Sequence, residues 1–214
     1  MKKFKTLKAL IFAISMVVTP LAVSTCKAAQ DHSGESEIDH KVLAGAVTEF
    51  KAYGDALEAF TKNFFGVIPN KFTKAQFINL GQKLSEMVHG IKERLVKYKE
   101  TVKGAEVKQI LAELEKLAVL LAASSTKLLN TLQKSLGTRN FLAHLKRLGD
   151  EESKQVPQVY ALQKAVGGLL AKHAPKATVD EFAQFVKSVE YSLSYPSENM
   201  MQVLSIARKY SSLK

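Results

Sequence analysis

Residues 72–104, FTKAQFINLGQKLSEMVHGIKERLVKYKETVKG, contain a helix start, an apolar stripe and a helix end in one continuous stretch. Thr73 can cap the first turn of a helix, and Gln76, three residues later, can bond back to the cap residue, which together form a capping box. Phe72 and Phe77 have the spacing of a hydrophobic staple across that cap. Apolar residues then recur at three- and four-residue steps and predict one buried helical face: Phe77, Leu80, Leu84, Met87, Val88, Ile91, Leu95, Tyr98 and Val102.

Gly104 is the predicted end of this helix. The five-residue step from Val102 to Val107 rotates the apolar stripe by roughly 140°, so one unbroken helix would point its two halves in different directions. The same periodicity predicts a preceding helix at about residues 38–65 and a following one that Gly137 ends. Three helices of similar length with short connections predict an antiparallel three-long-helix bundle over residues 37–136.

Residues 137–214 are predicted to form three or four shorter helices packed on that bundle as one continuous domain. A short amphipathic helix ends at Gly149, and the polar sequence GDEESKQ is interpreted as a connector. Thr178 and Glu181 have capping-box spacing, and a last helix is predicted from Ser197, after Pro196. Because no segment alternates between apolar and polar residues, the fold class is predicted as all-α.

Four glycines fall inside the predicted helices. Each costs roughly 1 kcal/mol relative to alanine, which favours positions where two helices approach closely. They are Gly45, Gly54, Gly81 and Gly90.

The N-terminus has the order of a bacterial secretory signal peptide, predicted over residues 1–28. Four lysines among the first eight residues precede an apolar run from Ala9 to Val18, and small residues follow Pro20. The apolar run is too short to span a bilayer, which takes about 20 residues. Export to the periplasm or the medium is therefore predicted, with residues 29–36 as a disordered lead-in.

Cys26, the single cysteine, has three alternative fates. Cleavage after Ser24 keeps it in the product, whereas cleavage after Ala28 removes it. In lipoprotein processing it would become the lipidated first residue, but Thr25 stands where that motif usually has Gly, Ala or Ser. An unlipidated product is favoured, and one cysteine cannot form an intramolecular disulfide.

The formal charge of +11 is unevenly distributed along the chain. Residues 31–58 are acidic, whereas residues 116–149 contain no acid. Such a basic stretch can bind phosphate groups of lipid or lipopolysaccharide, although a solvated helix face is the simpler interpretation. The candidate anion-binding residues are Lys127, Lys134, Arg139, Lys146 and Arg147.

No recognised catalytic, cofactor or metal motif occurs in the chain, so no catalytic, cofactor-binding or metal-ligating residue is predicted. Nucleic acid is disfavoured because Phe141, the one aromatic of the basic stretch, lies in phase with buried leucines and leaves no stacking platform. The leading hypothesis is a non-enzymatic protein that binds a partner protein. The alternatives are binding of an anionic membrane or envelope surface, and an enzyme with no recognisable motif.

Overall fold

The computed structural model describes residues 34–65 and 73–198, which contain six α-helices and no strand. The predicted all-α bundle is confirmed, with three long helices of 32, 28 and 31 residues first. The helices are α1 (Gly34–Phe65), α2 (Lys74–Thr101), α3 (Ala105–Ser135), α4 (Phe141–Glu152), α5 (Val156–His173) and α6 (Lys176–Glu198).

The capping box at the start of α2 is confirmed. The Gln76 backbone N–H donates to Thr73 Oγ1 at 3.3 Å, and the Thr73 N–H donates to Gln76 Oε1 at 2.7 Å. Phe77 is fully buried and its ring lies edge-on to that of Phe64, with 5.3 Å between centroids. The cap therefore places the first core residue of α2 against the end of α1, while Phe72 of the predicted staple lies outside the described residues.

The predicted break at Gly104 is confirmed, and Asp39 of α1 stabilises it. The backbone N–H groups of Lys103 and Gly104 donate to the Asp39 carboxylate at 3.1 and 2.6 Å. Asp39 is only 6% exposed, so this contact is protected from water. A carboxylate from α1 thus caps the start of α3, where the backbone N–H groups lack partners within the helix.

Consecutive long helices run antiparallel, whereas α6 runs parallel to α1. Glu49 of α1 accepts from Arg94 of α2 at 2.8 Å. Along the other side of α1, Thr48 donates to Glu181 and Ser188 donates to Glu58, both at 2.7 Å, so residue numbers rise together in the two helices. The last helix therefore completes the core around the first.

Two of the four helix glycines lie at close approaches. A Cβ on Gly54 would lie 3.0 Å from the Phe185 ring, and one on Gly81 would lie 2.9 Å from a Leu132 methyl carbon. At Gly45 no such neighbour lies within 4 Å. Close packing thus explains both glycines: an added methyl group would press on the ring and backbone of Phe185 at Gly54, and would require the Leu132 side chain to shift at Gly81.

Two predicted boundaries near the N-terminus and α4 need correction. α1 begins at Gly34, so residues 34–36 of the predicted lead-in are helical. α4 continues through Gly149 to Glu152, into the predicted connector. The continuation brings Glu152 onto α3, where Ser124 and Lys127 bond its carboxylate, and this distant contact has no local sequence signal.

Both predicted boundaries of the last helices are also wrong. α6 begins at Lys176, and Thr178 is buried within its first turn, donating its N–H to Pro175 O at 3.0 Å. α6 then continues past Pro196 to Glu198, where a new helix was predicted. The Tyr195 hydroxyl donates to the Phe65 carbonyl oxygen at 3.4 Å, so packing on α1 supports the turn that includes the proline.

Candidate functional site: two grooves along one helix

A polar groove with a volume of about 200 Å³ lies between α3 and α4, and we call it the basic groove. Four of its residues come from one face of α3, because steps of three, four and seven residues share a face. A turn at Gly137, with φ of 81°, sends the chain back so that α4 supplies the other wall. The polar lining consists of Lys127, Asn130, Thr131, Lys134, His144, Arg147 and Glu151.

Three of the five predicted anion-binding residues line this groove. Lys127 and Lys134 lie on its α3 wall, and Arg147 lies on its α4 wall. Arg139, in the turn between the helices, and Lys146, on another face of α4, are exposed but do not line the groove. Three of the five predicted cations therefore lie around one groove.

Two carboxylates that the sequence analysis did not assign to the site reduce its positive charge. Lys127 Nζ lies 3.2 Å from Glu152 Oε1, and Arg147 Nε lies 4.0 Å from Glu151 Oε1. Within the described part of the chain, no carboxylate lies within 4.0 Å of Lys134 Nζ. Lys134 is thus the cation most available to an anionic ligand.

The additional lining residues had a usable signal in the sequence. Asn130 and Thr131 lie between Lys127 and Lys134 at the spacing of one helical face. Glu151 follows Arg147 by four residues, which is the spacing of an ion pair along a helix. Glu152 had no such signal, since its partners lie 25 and 28 residues away.

A buried tyrosine anchors α3 near the same Glu152. Tyr53 of α1 is 2% exposed and its hydroxyl lies 2.8 Å from the Ser125 hydroxyl. Burial, together with the negative charge of Glu152, raises the pKa of Tyr53 to about 12, although the Ser125 hydrogen bond opposes the shift. The phenol therefore stays protonated at neutral pH and links α1 to α3 beside the basic groove.

The second groove lies further towards the start of α3, between α3 and α5, and we call it the apolar groove. Its volume is about 510 Å³. Val119 at its edge is 44% exposed, and Ala161 is also exposed, although a bundle normally buries such side chains. The groove is lined by Lys116, Val119, Leu120, Gln158, Ala161 and Leu162.

The apolar groove has no signal of its own in the sequence. Leu162 has the helical spacing of the buried Val159 and Val166, but its side chain is half-buried at the groove. Periodicity identifies the apolar face of a helix but not how closely the neighbouring helix covers it. Only the packing of α5 on α3 reveals the exposed area.

Gln163 occupies the core side of α5. Its side chain is 2% exposed, and neither the amide oxygen nor the amide nitrogen has a hydrogen-bond partner. Burying an amide without a partner costs about 1–3 kcal/mol in proteins. A buried amide without a hydrogen-bond partner thus lies on the core side of the helix that forms one wall of the apolar groove.

Residues 34–65 and 73–198 contain no group of three or more His, Cys, Asp or Glu side chains placed to hold a metal ion. None of their helices combines the length and apolar character needed to cross a membrane.

Comparisons with protein-family models, with curated protein sequences and with solved structures found no match to this chain.

Proposed function

We propose that this chain is a non-enzymatic protein that acts by binding a partner protein at the apolar groove. The observation that carries the proposal is the exposed apolar surface between α3 and α5, with Val119 at its edge. Exposed apolar side chains favour contact with another molecule, because leaving them in water is unfavourable. The three long helices supply the rigid scaffold for that surface.

Export is part of the same proposal. It rests on the basic, apolar and small-residue order of residues 1–28, which lie outside the described residues. The product would then meet its partner in the periplasm or the medium. Intact-mass measurement of the processed protein tests whether Cys26 is lipidated, because acyl mass on Cys26 would contradict an unlipidated product.

Affinity capture with two matched variants tests the binding site. Val119→Asp places a charge in the groove, and Ile38→Asp makes the same change at an exposed position near the start of α1, where the side chain is 57% exposed. We expect mass spectrometry to find a protein captured by the wild type and by Ile38→Asp but lost at least about tenfold with Val119→Asp. Capture that is equal with both variants would contradict the proposed site.

Binding of an anionic membrane or envelope surface is a second candidate function. The convergence of Lys127, Lys134 and Arg147 on the basic groove favours it, and Lys134 has no carboxylate partner among the described residues. The ligand group would be a phosphate, from lipid or from lipopolysaccharide.

Sedimentation with vesicles tests the second candidate. We expect binding to anionic vesicles but not to zwitterionic ones, and weaker binding as salt is raised. Lys134→Glu should reduce binding several-fold more than Lys146→Glu, which makes the same charge change outside the groove. Equal losses of vesicle binding with both variants, or binding that salt does not weaken, would rule out the basic groove as the site that binds anionic surfaces.

A further inference from the structure

We infer that the partner segment in the apolar groove is an amphipathic α-helix with acidic residues along the edges of its apolar face. This inference rests on the proposed function, that is, on protein binding at this groove. It specifies the secondary structure and the charge of the segment.

The shape of the groove favours a helix. Its walls are two helices, since three of its six lining residues lie on α3 and three lie on α5. A third helix laid between two such helices buries its apolar side chains at spacings of three and four residues. The exposed Ala161 of α5 is small and permits close approach of the incoming backbone.

The apolar face of α5 continues beyond the groove towards the end of that helix. Ala165, which is exposed, and Leu169, which is half-buried, follow Ala161 at four-residue steps and share its face. From Gln158 to Leu169 this face spans about 17 Å at 1.5 Å per residue, or roughly three turns of a docked helix. The wall is therefore long enough to hold three or four apolar anchor residues of a partner.

The charges around the groove favour an acidic partner. Lys172 is exposed and lies near the face of α5 that carries Gln158, and Lys154 is exposed in the turn before α5. Lys116 lines the groove itself, and Glu113, 2.6 Å from its Nζ, offsets part of its charge. α5 contains no acidic residue, so its charged side chains are all cationic. Carboxylates along the edges of a docked helix would complement these lysines.

Other occupants fit the charge pattern less well. Residues 199–214 of this chain contain Arg208, Lys209 and Lys214 and no acid, so this segment would bring like charge to the lysines. An acidic amphipathic helix would place apolar side chains against the apolar walls and carboxylates near the lysines.

Two synthetic peptides of about 18 residues test the inference on the full chain. Both carry the same leucine face, and they differ only in having glutamate or lysine along its edges. We expect fluorescence anisotropy to show about tenfold tighter binding of the glutamate peptide at low salt. Val119→Asp should abolish the binding, whereas Ile38→Asp should not change it.

Charge reversal at the groove sharpens the test. Lys116→Glu combined with Lys172→Glu should reverse the preference between the two peptides. Lys83→Glu, at an exposed position on α2, is the matched control and should leave the preference unchanged. Circular dichroism of each variant checks that the fold is retained.

Several outcomes would overturn the inference. Equal binding of both peptides would contradict an acidic partner, and binding of neither peptide would contradict a helical partner segment. If neither peptide binds while capture of a protein still depends on Val119, the proposed function stands and only this inference fails. Peptide binding that rises when Leu204→Asp is introduced would identify residues 199–214 as the occupant. Val119-dependent binding to vesicles, or Val119-dependent self-association in sedimentation, would identify a membrane or a second copy instead.

Discussion

The helices α4 and α5 both pack on α3, but they are attached to it in different ways. α4 has 12 residues and one of them, Phe141, is fully buried. α5 has 18 residues, of which Val159, Gln163, Val166 and Leu170 are buried. Away from Phe141, α4 is held by the half-buried Leu145 and by the polar contacts of Glu152. The difference indicates that the apolar groove is preformed by core packing, whereas the basic groove has a wall that can move more easily.

Phe141→Ala should cause the largest loss in the free energy of unfolding, because it removes the one fully buried side chain of α4. The Phe141 ring is fully buried and lies edge-on to Phe64, with 6.2 Å between centroids. Its removal leaves a cavity where α3, α4 and α1 meet, and we expect the free energy of unfolding to fall by about 3–5 kcal/mol. Chemical denaturation measures this loss, and Leu142→Ala, at a half-buried neighbour, is the control. A loss below about 1 kcal/mol would mean that α4 is not anchored by this ring.

Glu152→Ala should weaken the other end of α4. The carboxylate accepts hydrogen bonds from Ser124 and Lys127, and its side chain is 21% exposed. We expect a loss of about 1–2 kcal/mol, because both partners must then be hydrated in a partly buried site. Glu151→Ala, which removes an exposed pair at 4.0 Å, should cost less than about 0.5 kcal/mol. Equal losses at the two positions would contradict the polar anchor.

Amide hydrogen exchange compares the two helices directly. We expect the amides of α4 to exchange about tenfold faster than those of α5, since a helix with one buried side chain opens at lower cost. Mass spectrometry of proteolytic fragments that cover residues 141–152 and 156–173 separates the two signals. Slower exchange in α4 would reverse the comparison.

Gln163→Leu should cause the smallest change in the free energy of unfolding, and this change should stabilise the protein. Leucine fills a similar volume and removes an amide that has no partner in the core of the bundle. We expect the free energy of unfolding to rise by about 1 kcal/mol, measured by denaturation. Gln158→Leu, on the groove side of the same helix, is the control and should change stability less. A destabilised Gln163→Leu variant would mean that the amide contributes favourably to the fold.

The sequence predicted the features that short-range chemistry determines. The capping box of Thr73 and Gln76 and the break at Gly104 depend on residues a few positions apart, and both are present. The contacts of Asp39 with Lys103 and Gly104 span 64 and 65 positions in the sequence. The contacts of Glu152 with Lys127 and Ser124 span 25 and 28 positions. No local sequence pattern reveals contacts of this range. The helix through Pro196 was missed for the same reason, because the stabilising contact with Phe65 comes from α1.

The candidate sites follow the same division. Lys127 and Lys134 share a helical face, and their convergence on one groove could be predicted from spacing alone. Lys146 lies outside the groove because of the rotation of α4 about its own axis, which a short amphipathic segment does not specify, and Arg139 lies in the turn before α4. The apolar groove depends on the distance between α3 and α5, which is a property of the assembled bundle.

The parallel pairing of α1 with α6 has a consequence for the order of folding. Its contacts join residues 130 and 133 positions apart, and Phe185 of α6 packs edge-on against Phe50 of α1. Synthesis releases the N-terminal end first, so α1 must wait with one apolar side uncovered until α6 has emerged. Contacts of such long range slow folding, because the entropy of closing the loop is lost before the contacts form. A chain built in this way completes its core only after α6 has been synthesised.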